Sequence, residues 1–164
     1  YEDLGTIPRL WACAERVVYK KEALYYYVMR DGSIMHSTDF QRNYRDRTYV
    51  MDSVLSFYKK KGLYEKYKKE LEYLVFENTY FVPSKEIVLN DRRSRYLGKF
   101  RGYAYSRFPE LRHNPYIRRL SRKDKILWLL LQCRMYGVMI FLSKMRQIRD
   151  HMFHRENQES VLWN

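Results

Sequence analysis

Glu2 and Asp3 stand side by side at the head of a stretch that reads as a helix, and carboxylates so placed have two uses. A positioned carboxylate takes the proton from a hydroxyl and makes it a nucleophile. An acidic residue near a helix N-terminus also favours the macrodipole, with no chemistry involved. Further along, "ALYYYVMRDGSIMHS" carries Arg30, Ser33 and His36 behind a run of tyrosines. A guanidinium and a hydroxyl suit phosphate oxygens, and an imidazole can approach a divalent cation or a diphosphate. The same residues also serve to end a strand, make a turn bond and start a helix in solvent.

Side chains like these need elements to hold them. Thr6 as N-cap, Pro8 in the first turn and Leu10, Trp11 and Ala14 at helical spacing predict a helix ending near Arg16. "VVY" and "ALYYYVM" are β-branched and aromatic runs, and Asp31, Gly32 and Ser33 supply turn residues, so two short strands are predicted. Beyond Ser37 the texture is helical. Phe40, Tyr44, Val50, Val54, Leu55 and Tyr58 form one apolar stripe with Gly62 as its stop. Tyr64, Tyr67, Leu71, Leu74, Val75 and Asn78 repeat the plan, so these two helices should pack antiparallel. Pro83 is expected to break the pattern. A weaker helix follows around Arg92 to Phe108, with glycines at 98 and 102, and Asn114-Pro115 marks a loop. Ser121 with Asp124 then caps a final helix running to about Asp150. The fold class is mainly α: a helical bundle with a short β element near the N-terminus.

Composition bounds the partners. The 164 residues suit a single core and carry 32 Lys and Arg against 19 Asp and Glu, a net charge of +13. Such a balance points to nucleic acid, an anionic membrane surface or phosphorylated substrates. Cys13 and Cys133 form no CxxC and no metal-ligand spacing, which reads as two reduced structural thiols and a cytoplasmic setting. The longest apolar stretch, "ILWLLLQCRMYGVMIFL", is interrupted by Gln132, Arg134 and Gly137 and falls short of the ~20 residues needed to span a bilayer.

Taken in order, the acidic pair, the helix, the tyrosine-rich strand and "GSI" resemble the C-terminal part of bacterial family-two glycosyltransferases of the GT-A type. "LYEKYKKELEYLV", "VPSKEI", "FPELRHNPYI" and "LSRKDKILWLLL" are similar to the helical tail of members that build capsular and other surface polysaccharides. The resemblance implies that residues 1–36 are the end of a catalytic domain and 37–164 a helical C-terminal domain. It implies that Asp3 is the general base of an inverting transfer from a nucleotide-sugar to a saccharide or lipid-linked acceptor, with Glu2 orienting the acceptor or the loop. Arg30, Ser33 and His36 would close over the donor diphosphate, with His36 also able to approach a divalent cation. That cation, Mg or Mn, belongs with the nucleotide-binding half, whose Asp-x-Asp unit is not in this sequence. The chain taken alone is therefore expected to bind nucleotide-sugar weakly or not at all and to be inactive.

The basic clusters admit other uses. Arg118, Arg119, Arg122, Lys123 and Lys125 precede an apolar helix containing Trp128, a pattern suited to an anionic membrane surface. The favoured alternative makes that helix the centre of the bundle, apolar all round because neighbours surround it. "NYRDRTY" and "RGYAYSRF" interleave tyrosine and arginine as single-strand nucleic-acid grooves do, although no recognised signature accompanies them. A protein-interaction module is the third reading, with self-association expected through exposed strand edges.

Overall fold

The structure, a computed structural model, describes residues 1–26, 28 and 39–161, the side chains of 150–161 excepted. It is mainly helical. Helix α1 (Glu2–Cys13) is followed by α2 (Phe40–Lys60), α3 (Lys68–Phe76), a π-helical segment (Glu77–Phe81) and α4 (Val82–Asn90). Then come α5 (Arg95–Arg107), a 3-10 turn (Leu111–His113), the short α6 (Pro115–Arg118), α7 (Arg122–Gln132) and the long α8 (Tyr136–Val161). No strand occurs among the described residues: 17–19 and 24–26 are irregular, and the side chains of Val18, Tyr19, Tyr25 and Tyr26 are exposed. Met29, the turn at Asp31 to Ser33, the domain boundary expected at 36 and 37, and Trp163 lie outside the described residues.

α2 forms as its stripe predicts. Asp39 caps it by accepting from the Arg42 N–H (3.0 Å), and Met51, Val54, Leu55 and Tyr58 are buried along one face. Its stop is a Schellman motif: the Leu63 N–H reaches the Tyr58 carbonyl (2.9 Å), the Gly62 N–H reaches that of Lys59 (3.1 Å), and Gly62 takes φ +68° at no steric cost. The chain then returns antiparallel. Tyr58 packs edge-on to Tyr67, while Arg47, further back on α2, donates to the Asn78 carbonyl (3.0 Å). Phe76, Val75, Met51, Val54, Phe100 and Leu111 are fully enclosed between α2, α3 and α5.

Several boundaries differ from expectation, each for a local reason. α1 starts at Glu2, not after Thr6, so the acidic pair lies in its first turn and Pro8 is inside the helix. The missing Pro8 N–H is tolerated because tertiary contacts hold α1 against α2: the Pro8 carbonyl accepts from Tyr58 Oη (2.7 Å) and Arg9 hydrogen-bonds Ser53. Pro83 does not break the chain's course. The π-helical segment just before it widens the hydrogen-bond pattern, with the Val82 N–H on the Glu77 carbonyl, so α4 begins with proline in a first-turn position. Asn114 is the cap of α6 rather than part of a loop. It is fully buried, accepts from the Tyr116 N–H (2.9 Å), and donates to the Lys69 carbonyl (2.8 Å) and to the buried Glu72 carboxylate (3.0 Å).

The last predicted helix is two. Ser121 caps α7 as expected, accepting from the Asp124 N–H (3.1 Å), but the chain turns at residues 133–135 before α8. α7 is also not surrounded: Leu130 and Leu131 are buried, whereas Ile126 and Leu129 face solvent. Cys13 and Cys133 are free, and both are exposed rather than packed in the core.

Candidate functional site

The acidic pair sits on the first turn of α1, both side chains exposed, on a helix fixed from behind. Tyr1 lies beneath the Arg47 guanidinium, 4.5 Å from ring centroid to charge, and its hydroxyl accepts from Arg47 Nε (3.1 Å). Arg47 itself is buried and also reaches Asn43 Oδ1 (2.6 Å) and the Glu86 carboxylate (3.9 Å). Glu2 is held below the ordinary carboxylate range, first by its hydrogen bond to its own backbone N–H. Asp3 has no ion-pair or hydrogen-bond partner among the described residues. α1 thus offers two exposed carboxylates to solvent from a braced backbone.

Arg30, Ser33 and His36 lie outside the described residues. Arg118, Arg119, Arg122, Lys123 and Lys125 are exposed at the α6–α7 junction. Trp128 does not join them at the surface. It turns inward, edge-on to Phe76 (4.7 Å) and Tyr80 (5.2 Å). An apolar stripe does remain in solvent on α8, where Val138, Phe141, Leu142, Met145 and Ile148 recur at helical spacing. Among the described residues no three His, Cys, Asp or Glu side chains gather closely enough to hold a metal ion.

A second polar site was not singled out by the sequence motifs. Gly98, Arg101, Gly102 and Tyr105 share one face of α5, and with Arg112 and Arg134 they line an open groove of about 350 Å³. A Cβ placed on Gly98 or Gly102 would meet nothing within 4 Å, so the groove floor is bare helix backbone. Gln132 organises the wall. Its Oε1 accepts from Tyr105 Oη (3.2 Å) and Arg112 Nη2 (3.0 Å), its Nε2 donates to Tyr80 Oη (3.3 Å), and its backbone carbonyl accepts from Arg101 (3.5 Å). Both Arg101 and Arg112 lie 5.8 Å from the Tyr105 ring centroid. The hydrogen bond to Tyr105 raises Arg112 further above its ordinary range, and burial raises Tyr80. None of the three guanidiniums has a carboxylate partner among the described residues.

Arg134 holds its place at a cost. Its φ of +56° is left-handed. The Met135 N–H reaches the Leu130 carbonyl (2.9 Å) and the Arg134 N–H that of Leu131 (3.2 Å), the same pattern that ends α2. At the equivalent position α2 uses Gly62, whereas α7 uses arginine, which costs about 1–2 kcal/mol in that conformation. The only hint of this groove in sequence was the interleaving of "RGYAYSRF"; Arg112 and Arg134 are distant in the chain and reach it through folding.

The bare floor carries a stability prediction. Gly98→Ala and Gly102→Ala should each stabilise the protein by about 0.5–1 kcal/mol, because alanine restricts the unfolded chain and meets no clash. Chemical denaturation reads this directly, and a loss of stability would mean the space is occupied.

Comparison with known proteins returned no match to a family model, a curated protein or a solved structure. Among the described residues no helix is long and apolar enough to cross a membrane.

Proposed function

We propose that this chain is the C-terminal part of an inverting glycosyltransferase that moves a sugar from a nucleotide-sugar to a saccharide or lipid-linked acceptor in surface polysaccharide synthesis. The support is the sequence resemblance together with one observation: Asp3 is exposed, and unpaired among the described residues, on a helix whose other face is fixed to the bundle. In this reading the Asp3 carboxylate takes the acceptor hydroxyl proton as that oxygen bonds the anomeric carbon. The bond from that carbon to the donor phosphate breaks, its electron pair leaves with the nucleoside diphosphate, and the configuration inverts. Glu2 orients the acceptor, and Arg30, Ser33 and His36 contact the donor diphosphate. A divalent cation is implied by the family resemblance, but the described residues do not offer it a ligand set, and no step here runs through it.

The irregular segment at 17–26 fits the same reading as sheet-forming sequence awaiting its neighbours, which a longer protein would supply. The chain alone should then self-associate through it, and light scattering across a dilution series should show mass above the monomer; monomer throughout would count against that use of the segment. The exposed stripe on α8 favours a second role, peripheral contact with an anionic membrane on the cytoplasmic side, helped by the basic cluster from Arg118 to Lys125. The catalytic reading is tested by incubating the full-length protein with a panel of nucleotide-sugars and saccharide acceptors and reading the product by NMR. Transfer with inverted configuration supports it. No transfer from any donor, or retained configuration, removes it.

A further inference from the structure

The arginine groove on α5 and α7 belongs to different elements from the acidic pair and does not depend on how Asp3 is read. We propose that it is a binding site for a diphosphate-type anion. Arg101, Arg112 and Arg134 converge on one groove, two of them braced by Gln132. Like charges gathered without a carboxylate repel one another, and a polyanion removes that repulsion while satisfying several N–H donors at once. The volume, about 350 Å³, exceeds the needs of a single phosphate. Gly98 and Gly102 let a ligand lie directly on the helix, as glycines do where a backbone approaches a phosphate group.

Arg134 gives the second, independent argument. A helix end that glycine would satisfy without strain carries instead an arginine at φ +56°, with its side chain in the groove wall and no carboxylate partner among the described residues. Backbone strain of this sort persists at ligand sites because the side chain is used there.

The test separates binding from folding because one substitution moves them in opposite directions. Inorganic pyrophosphate is titrated calorimetrically into the full chain and into Arg134→Gly, Arg101→Ala and, as an equal charge change at an exposed position on α2, Lys60→Ala. The proposal expects saturable 1:1 binding that weakens about tenfold or more in the two groove variants and stays within about twofold in Lys60→Ala. Arg134→Gly should meanwhile keep or raise the thermal midpoint, so that its loss of binding cannot come from unfolding. No binding, or an equal small loss in all three variants, overturns the proposal in favour of a diffuse field from the +13 charge. Two further arms distinguish the source of the diphosphate chemistry. Vesicles of phosphatidylcholine with phosphatidic acid that bind through the groove and are released by pyrophosphate indicate a lipid headgroup; pyrophosphate binding without vesicle binding indicates a soluble ligand. Groove-dependent capture of a single-stranded oligonucleotide with no response to pyrophosphate would overturn the proposal and make the site a nucleic-acid one.

Discussion

Under the proposed transfer reaction, Asp3→Asn should lower kcat by about 10²- to 10⁴-fold while leaving the thermal midpoint nearly unchanged. The amide keeps the shape and the polarity of the side chain but cannot accept the acceptor's proton. Its effect on folding is small because Asp3 is exposed and has no partner among the described residues; the attraction to the α1 dipole goes, about 0.3–1 kcal/mol. Glu2→Gln should cost much less, since in this reading Glu2 orients the acceptor and does not take its proton. The comparison is made with saturating donor and acceptor, so that a change in binding is separated from a change in turnover. An Asp3→Asn enzyme with turnover within a few-fold of the parent would take Asp3 out of the role.

The largest effect on stability is expected at Arg47. This guanidinium is 3 % exposed, yet its charge is answered on every side: by Asn43 Oδ1, the Asn78 carbonyl, the Tyr1 hydroxyl and ring, and the Glu86 carboxylate. Arg47→Met keeps most of the volume and removes the donors, leaving a main-chain carbonyl and an amide oxygen without their partners. Each unsatisfied group costs about 1–3 kcal/mol, so the loss should be about 3 kcal/mol in urea melts, or about 6–12 °C in Tm for a chain of this length. Arg47→Lys restores the charge without the planar fork and should recover only part of it. The consequence reaches the candidate site, because Arg47 holds Tyr1, and Tyr1 seats the first turn of α1 that carries Glu2 and Asp3. A change of less than about 1 kcal/mol in Arg47→Met would mean that the network is replaced by water at little cost.

Ends of helices show best which signals sequence carries. Gly62 and Ser121 announce their boundaries by residue type, since a left-handed stop favours glycine and an N-cap favours a hydroxyl that can accept from the third N–H. Arg134 makes the same stop as Gly62 with a residue that gives no such signal, so α7 and α8 read as one helix. Pro8 and Pro83 read as a start and a break. Neither acts so, because Tyr58 and Ser53 hold α1 in place around Pro8 and a π-helical segment absorbs the missing N–H at Pro83. The runs at 17–19 and 24–26 have the composition of strands, but a strand needs a partner's ladder, and none is present among the described residues.

What the amino-acid sequence determined by itself is the helical class, the buried stripe of α2 and its antiparallel return through Tyr67 and Asn78, because apolar spacing and local caps act within a few residues of one another. Only the tertiary structure decided which charges stand together. Arg101, Arg112 and Arg134 share a groove, and Arg47 disappears under Tyr1, through contacts between residues far apart in the chain, and no local pattern encodes which distant side chains will meet.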